Sequence, residues 1–262
     1  MPWLWRGLRE GIVTTHYPER PDAYADGFPA AISVRPSTAP LTRQEAAALC
    51  PTGAITVDGE GAVRLDRGRC IMCGHCSRAR PDTFGTAHGT ETAAAARTAL
   101  VVPETEGSGA TLRELRKDLA SRTARFRRSL HIRHVDAGSD GSEEWEIAAL
   151  TNPLYDLHRL GMFFTASPRH ADVLLVTGAG TRGMAAPLRR TYEATAQPVV
   201  VIAAGADACS GGLYADSYAT HDGLGDLVDV DIWVPGSPPS PFSLLHALLL
   251  ATGRLAERGA VS

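Results

Sequence analysis

Two apolar runs, DVLLVT at 172–177 and PVVVIAA at 198–204, decide the fold class of this chain. Both are short, rich in aliphatic residues and followed at once by glycine, which is typical of strands buried on both faces of a parallel sheet. Related runs occupy 131–135 and 228–234. Because stretches of helical length separate these runs, the sequence predicts an α/β three-layer domain with a mainly parallel sheet. Its helices are expected at 145–150, 153–160, 183–195 and 241–258.

The composition is that of an ordinary globular protein. The chain has 262 residues, 44% of them hydrophobic and 21% charged, with a formal net charge of −3. Such a chain can hold two modest domains, and its charge gives no reason to expect nucleic acid as a partner. No apolar run reaches the roughly 18 residues of a membrane span, and the amino terminus lacks the pattern of a signal peptide. The sequence therefore predicts a cytoplasmic chain with no transmembrane segment of its own.

The chain divides into three predicted parts. Residues 1–90 are rich in proline and glycine and carry a predicted hairpin at 54–65 around an Asp-Gly turn. Residues 91–130 are expected to form a linker that ends in a basic amphipathic helix, and residues 131–262 form the α/β domain. Charge runs are weak evidence for a partner, so the arginines of that helix are expected to face solvent.

Four of the five cysteines lie close together in the first part, and Cys209 stands alone. In a reducing compartment such clustering favours metal binding over disulfides. The spacing Cys70-Ile-Met-Cys73-Gly-His-Cys76 can hold three irons of a 4Fe-4S cluster, and Cys50, which precedes a proline, can supply the fourth ligand. Four thiolates could also bind zinc, but a zinc ribbon prefers two paired knuckles, so the cluster is favoured.

The first part resembles the two-cluster ferredoxin subunits of formate hydrogenlyase and related membrane-bound hydrogenases, which are similar to the ferredoxin-like (I-type) subunit of complex I. The resemblance rests on RGLREGIVTTHYP at 6–18, LCPTGAI at 49–55 and GRCIMCGHC at 68–76. It implies an α+β ferredoxin-like domain that keeps one 4Fe-4S cluster, with Cys50, Cys70, Cys73 and Cys76 as ligands. The ligands of the other cluster are missing, since those positions hold Pro40, Arg43, Ala46 and Arg80.

The last part is similar to the family that unites the small subunit of group 4 nickel-iron hydrogenases with the B-type subunit of NADH:quinone oxidoreductase, or complex I. The similarity covers about residues 131–256. It rests on VDAGS, NPLYDLHRLG, ASPRHADVLLVTG, PLRRTYE, SGG and VPGSPP, which begin at residues 135, 152, 166, 187, 210 and 234.

In that family four cysteines hold the terminal 4Fe-4S cluster, and here the resemblance places their positions at Asp140, Glu143, Asp207 and Ser237. Hard oxygen donors suit magnesium, calcium or manganese better than iron-sulfur, so we expect these degenerate ligand positions to hold no cluster. They could bind a hard cation instead. The favoured alternative is that they are solvated or hydrogen-bonded fillers of a vacated pocket. Their three carboxylates would then repel one another and raise at least one pKa, or would need arginine partners, for which Arg169 is one candidate.

Together the resemblances imply a non-catalytic electron-transfer subunit of a membrane-bound, hydrogenase-related or complex I-like respiratory complex. Its expected partners are a hydrogenase-large-subunit-like protein, similar to the D-type subunit of complex I, and membrane proton-channel subunits. These partners would hold it on the cytoplasmic face of the inner membrane. The competing hypothesis is a non-redox structural or coupling subunit. In it the remaining cluster is a fold staple, which means that it stabilises the fold and transfers no electrons.

Overall fold

The computed structural model describes residues 2–11, 13–35, 40–103, 108–124 and 129–255. In chain order its helices and strands are α1 (Pro2–Glu10), β1 (Pro29–Val34), α2 (Arg43–Leu49), β2 (Ile55–Val57), β3 (Val63–Asp66), α3 (His75–Ala79), β4 (Phe84–His88), β5 (Val101–Val102), α4 (Ser108–Arg122), β6 (Leu130–Asp136), α5 (Ser142–Ala149), β7 (Met162–Phe164), β8 (Val173–Thr177), α6 (Arg182–Ala194), β9 (Val200–Ala204), α7 (Ala206–Ser210), β10 (Ile232–Val234) and α8 (Pro241–Ala251).

Residues 129–255, here called the rear unit, contain a five-stranded sheet in the order β10-β9-β8-β6-β7. Every pairing in it is parallel. All five residues of β8 and all five of β9 are buried, because hydrophobic clusters cover both faces of the sheet. The predicted α/β domain with a parallel sheet is confirmed.

The rear unit differs from the sequence prediction at three places. The helix expected at 153–160 is a turn followed by a short 3-10 helix, Leu157–Leu160. The edge strand β7 was not predicted, because three residues are too few to show strand periodicity. The last helix ends at Ala251 rather than at 258, and residues 256–258 lie outside the described residues.

Residues 13–35 and 40–102, here called the front unit, form two small antiparallel sheets, β1-β4 and β2-β3-β5. The predicted hairpin is confirmed: Ile55 pairs with Leu65, and the Asp58 carboxylate accepts hydrogen bonds from the backbone amides of Glu60 and Ala62 in the turn. The apolar core is small. It is built around Ile32, Leu65 and Phe84, with Cys70 and Cys76 among its members. The ferredoxin-like assignment of this unit stays a prediction.

The predicted linker is packed rather than exposed along much of its length. Ala94 exchanges two backbone hydrogen bonds with Trp233 of β10, and Leu100 is buried. Strand β5 pairs with β3 of the front unit. The alanine-rich composition of 91–100 suggested a linker, but small alanine side chains also let a backbone approach a sheet edge closely.

The predicted basic helix corresponds to α4, which begins at Ser108 and ends at Arg122. Its Leu119 is buried, and Arg122 forms an ion pair with Asp231 at 2.7 Å. The predicted helix also included Arg125, Arg127 and Arg128, which lie outside the described residues. None of the helices in the described ranges combines the length and apolar character that a bilayer span requires.

Candidate cluster site and rear acidic pocket

The four predicted ligand cysteines occupy one side of the front unit. Cys50 ends α2, Cys70 and Cys73 lie in the loop after β3, and Cys76 lies in the first turn of α3. Cys70 and Cys76 are buried, while Cys73 is exposed. The Cys70 thiol lies close enough to the other three to interact electrostatically with each of them. The fold therefore brings the sequence-predicted residues into one neighbourhood.

Local backbone geometry shapes the loop that carries Cys70, Cys73 and Cys76 and the turn after Cys50. Met72 adopts φ 55° and Gly74 φ 67°, so the loop between Cys70 and Cys76 winds through two left-handed residues. For Met72 this conformation is unusual, and such a residue marks a local constraint. After Cys50, the backbone turns so that the amide of Ala54 donates a hydrogen bond to Sγ of Cys50 at 3.2 Å.

The chemistry of these thiols depends on what they bind. Burial raises the pKa of Cys70 to about 12, and the neighbouring thiols act in the same direction. Burial also raises the pKa of Cys76. Thiols in this environment stay protonated unless a metal centre stabilises the thiolates. Four soft sulfur donors suit iron-sulfur chemistry. In the part of the chain that the structure describes, no three His, Cys, Asp or Glu side chains converge tightly enough to hold a single metal ion.

The degenerate ligand positions lie at the carboxyl ends of the rear-unit strands, where ligands bind in open α/β sheets. Asp140 and Glu143 follow β6, Asp207 follows β9 and Ser237 follows β10. Glu143 and Asp207 are only 1% and 6% exposed, whereas Asp140 and Ser237 are exposed. These four residues are here called the rear pocket.

The rear pocket brings its three acids together. Burial raises the pKa of Glu143 to about 7, and the Asp207 and Asp140 carboxylates add to the effect. Burial and the Asp140 charge raise the pKa of Asp207 to about 6. Asp140 behaves oppositely, because hydrogen bonds from the Ser142 hydroxyl and amide lower its pKa. Arg169, one candidate cation partner, is exposed and forms no ion pair with these acids in the described structure.

Helix α7 connects the rear pocket to the front unit. Asp207 lies in its first turn, and at its other end the Ser210 hydroxyl donates to the carbonyl of Gly68 at 3.0 Å, two residues before Cys70. Cys209 is buried beside these residues, and burial raises its pKa to about 12. It lies apart from the cysteine loop and packs as a small core side chain.

An arginine that sequence reasoning missed joins the two units. The guanidinium of Arg97 donates to both carboxylate oxygens of Asp66 at 2.7 Å and to the carbonyl of Cys209 at 3.0 Å. Gly68 lies directly against the guanidinium, so a side chain at this position would displace Arg97 from its present contacts. No sequence signal distinguishes Arg97 from the other arginines of this arginine-rich chain.

A second missed group is a polar network at the ends of β6 and β8. The Glu144 carboxylate accepts hydrogen bonds from the hydroxyls of Ser139 at 2.8 Å and Thr177 at 2.5 Å. His134 lies 3.3 Å from Glu144, and burial lowers the pKa of this histidine despite its acidic neighbour. The network anchors α5, and therefore Glu143, to the sheet.

The fold and the comparisons with known proteins agree on the class of the rear unit. The family model described as NADH ubiquinone oxidoreductase, 20 kDa subunit, matches residues 141–251, and the chain belongs to this family. The match lies wholly within the rear unit and confirms, at the family level, the similarity seen in its motifs.

Two relatives make the likeness more specific. Formate hydrogenlyase subunit 7 of Escherichia coli (strain K12) is 39% identical over 139 residues, which are 53% of this chain and 54% of that protein. The probable membrane-bound hydrogenase subunit mbhJ of Pyrococcus furiosus is 39% identical over 145 residues, 55% of this chain and 87% of that protein. The chain thus spans about half the length of the formate hydrogenlyase subunit.

Among solved structures, the chain is similar to a subunit of the membrane-bound sulfane sulfur reductase, an archaeal respiratory membrane complex. The identity is 28%, the TM-score is 0.44, and the alignment covers 54% of this chain and 77% of that one.

Proposed function

We propose that the chain is an electron-transfer subunit of a membrane-bound, hydrogenase-related or complex I-like respiratory complex. Both relatives are named as subunits of hydrogenase or formate hydrogenlyase systems, which supports a place in such an assembly. The chain makes and breaks no substrate bond in this role. It holds a redox centre and passes single electrons.

The redox centre is one 4Fe-4S cluster in the front unit, which we take as a ferredoxin-like domain of about residues 1–90. The observation that carries the proposal is that the Cys70 thiol, a member of the front core, interacts with the thiols of Cys50, Cys73 and Cys76. When bound, the cluster supplies one-electron storage. The chain's own residues provide the thiolates, the Ala54 amide on one sulfur and the apolar packing that limits water.

The rear unit contributes no second cluster in this proposal. Its degenerate ligand positions, Asp140, Glu143, Asp207 and Ser237, offer oxygen donors instead of thiolates. An electron on the front cluster therefore needs an acceptor outside this chain. We assign that role to a partner similar to the hydrogenase large subunit and to the D-type subunit of complex I. Membrane proton-channel subunits then hold the assembly on the cytoplasmic face of the inner membrane.

One observation favours a second candidate function, a structural subunit in which the cluster is a fold staple. The front core holds few large apolar side chains, and two of the cysteines are buried members of it. Small cores often depend on a metal for folding.

Electron paramagnetic resonance on the anaerobically purified, dithionite-reduced complex tests the proposal. We expect one reversible cluster signal, which the complex reoxidises during turnover. A cluster that gives its signal only at potentials below those of the complex would support the staple, because the oxidised 4Fe-4S cluster is silent in this experiment. A protein that contains no iron and no sulfide would contradict both.

Two cysteine variants further distinguish electron transfer from a purely structural role of the cluster. Cys73→Ser changes an exposed thiol of the loop, so for electron transfer the complex should assemble and lose activity, whereas for a staple it should fail to assemble. Cys209→Ala is the matched control, because this thiol lies in another hydrophobic cluster. It should leave the signal unchanged.

A further inference from the structure

Glu143 and Asp207 are the only buried acidic side chains among the described residues. They belong to different elements, the first turn of α5 and the first turn of α7, and Gly205 at the start of α7 lies against the Glu143 carboxylate. Glycines lie directly against both carboxyl groups. A Cβ on Gly205 would collide with Oε1 of Glu143, and one on Gly212 would collide with Oδ1 of Asp207. The two acids are therefore held in tightly packed surroundings.

Neither acid has a basic partner in the described structure. Glu143 accepts hydrogen bonds from the Ser142 hydroxyl at 3.2 Å and from its own backbone amide, and neither donor carries a charge. Asp207 is 94% buried as a residue, its carboxylate accepts no hydrogen bond in the described ranges, and it interacts electrostatically with Glu143 and Asp140. A buried, unpartnered carboxylate is costly, and nothing on the described chain neutralises it.

Two neighbouring carboxyl groups that are desolvated and lack a cation cannot both be ionised at low cost. The usual solution is that the pair shares a proton and titrates as a unit. We propose that Glu143 and Asp207 form a proton-binding site that holds one proton near neutral pH and exchanges it with solvent past Asp140 at the pocket mouth. The ligand is the proton itself, and the site does not depend on whether the front unit binds a cluster.

The surroundings of the pair support this assignment. From the α5 side, the exposed Asp140 carboxylate faces both acids and opposes their ionisation. From the α7 side, the Cys209 thiol interacts with Glu143, and burial keeps that thiol protonated by raising its pKa. Arg97 reaches only the carbonyl of Cys209 and pairs its charge with Asp66. No charge on a packed element in the described ranges therefore replaces the proton.

Infrared difference spectroscopy of the full-length protein during a pH titration tests the site. We expect the carbonyl stretch of one protonated carboxyl group per chain to disappear as the pH rises from about 5 to about 8, well above the range of ordinary carboxylates. A wild-type protein in which no carboxyl group titrates above about pH 5.5 would overturn the proposal.

Isosteric variants identify which carboxyl groups bind the proton. Glu143→Gln should remove the high-pH transition, and Asp207→Asn should move the remaining transition to lower pH, because it removes a neighbouring charge. Glu60→Gln, on the exposed hairpin turn, is the control and should leave the transition in place. If the transition is the same in both pocket variants, the proton lies elsewhere and the assignment fails.

Thermal unfolding gives a second readout that does not depend on the infrared band. The pKa of Glu143 is raised in the folded state, so folding binds a proton that is lost as the pH rises. The melting temperature of the wild type should therefore fall from about pH 5 to about pH 8 relative to that of Glu143→Gln. A difference that does not change with pH would contradict the site.

Discussion

The front and rear units differ in what stabilises them. The rear unit buries strands such as β8 and β9 completely between two large hydrophobic clusters. The front unit has short strands and a small core to which cysteines contribute. A large core can keep its fold without a bound metal, whereas a small core often depends on one. Under the proposed function, this difference accounts for a chain that holds a cluster in its front unit and none in its rear unit.

The largest expected effect comes from removing the cluster. Without it, the backbone amides of β2 and β3 should exchange with solvent at least about tenfold faster, while those of β8 and β9 should change little. Hydrogen–deuterium exchange with mass spectrometry on the holo and apo forms of the full chain measures both units at once. Equal acceleration in the two units would contradict this prediction, because the rear unit would then also depend on the metal.

A smaller effect is expected at the contact between the units. Arg97→Ala removes a bidentate partner from the partly buried Asp66 carboxylate and a donor from the Cys209 carbonyl, so it should lower the free energy of unfolding by roughly 3 kcal/mol. Arg64→Ala is the control. It removes a partly exposed ion pair with Asp58 at 3.8 Å and should cost less than about 1 kcal/mol.

Chemical denaturation of both variants provides the measurement. Equal losses for Arg97→Ala and Arg64→Ala would mean that the Arg97 contacts contribute no more than a partly exposed ion pair. A clearly larger loss for Arg97→Ala would show that its contacts with Asp66 and with the Cys209 carbonyl stabilise the front unit and its junction with the rear unit.

The smallest effect concerns His246 of the rear unit. Burial, with Arg116 nearby, lowers the pKa of His246 to about 4, and its Nδ1 accepts a hydrogen bond from the amide of Ala93. As the pH falls, His246 is protonated at a higher pH in the unfolded chain than in the folded one. The free energy of unfolding therefore decreases as the pH falls from about 6.5 to about 4. At about 1.4 kcal/mol per pKa unit, the loss should be at most roughly 3 kcal/mol.

Denaturation of His246→Gln across this pH range isolates the effect, since glutamine keeps an acceptor without titrating. The stability of the wild type relative to the variant should increase with increasing pH. His88→Gln, at an exposed position, should show no such trend. A constant difference for His246→Gln would place the pH sensitivity elsewhere.

The parts of the molecule that repeat a simple pattern were predictable from the sequence. Buried strands such as β8 are uniformly apolar, and the β2–β3 hairpin has alternating residues around a turn, so both were visible. The three-residue strand β7 was not, because periodicity needs more residues than it has. The alanine-rich segment near Ala94 was misread, since its pairing with Trp233 comes from tertiary packing rather than from local composition.

The candidate sites were predictable to the extent that they depend on residue type. The spacing of the cysteines indicated the cluster loop, and the family motifs indicated Asp140, Glu143 and Asp207. Neither pattern shows what surrounds a side chain in the folded protein. Long-range packing buries Glu143 against Gly205 and brings Arg97 to Asp66, so only the fold shows these two contacts.

The central claim is that the front unit holds one iron-sulfur cluster and the rear pocket holds none. Iron and acid-labile sulfide analysis of the anaerobically purified protein tests it most directly. With one 4Fe-4S cluster, we expect about four irons and about four sulfides per chain. About eight of each would place a second cluster in the rear unit, and zinc without sulfide would replace the cluster with a structural metal. Either result would contradict the account.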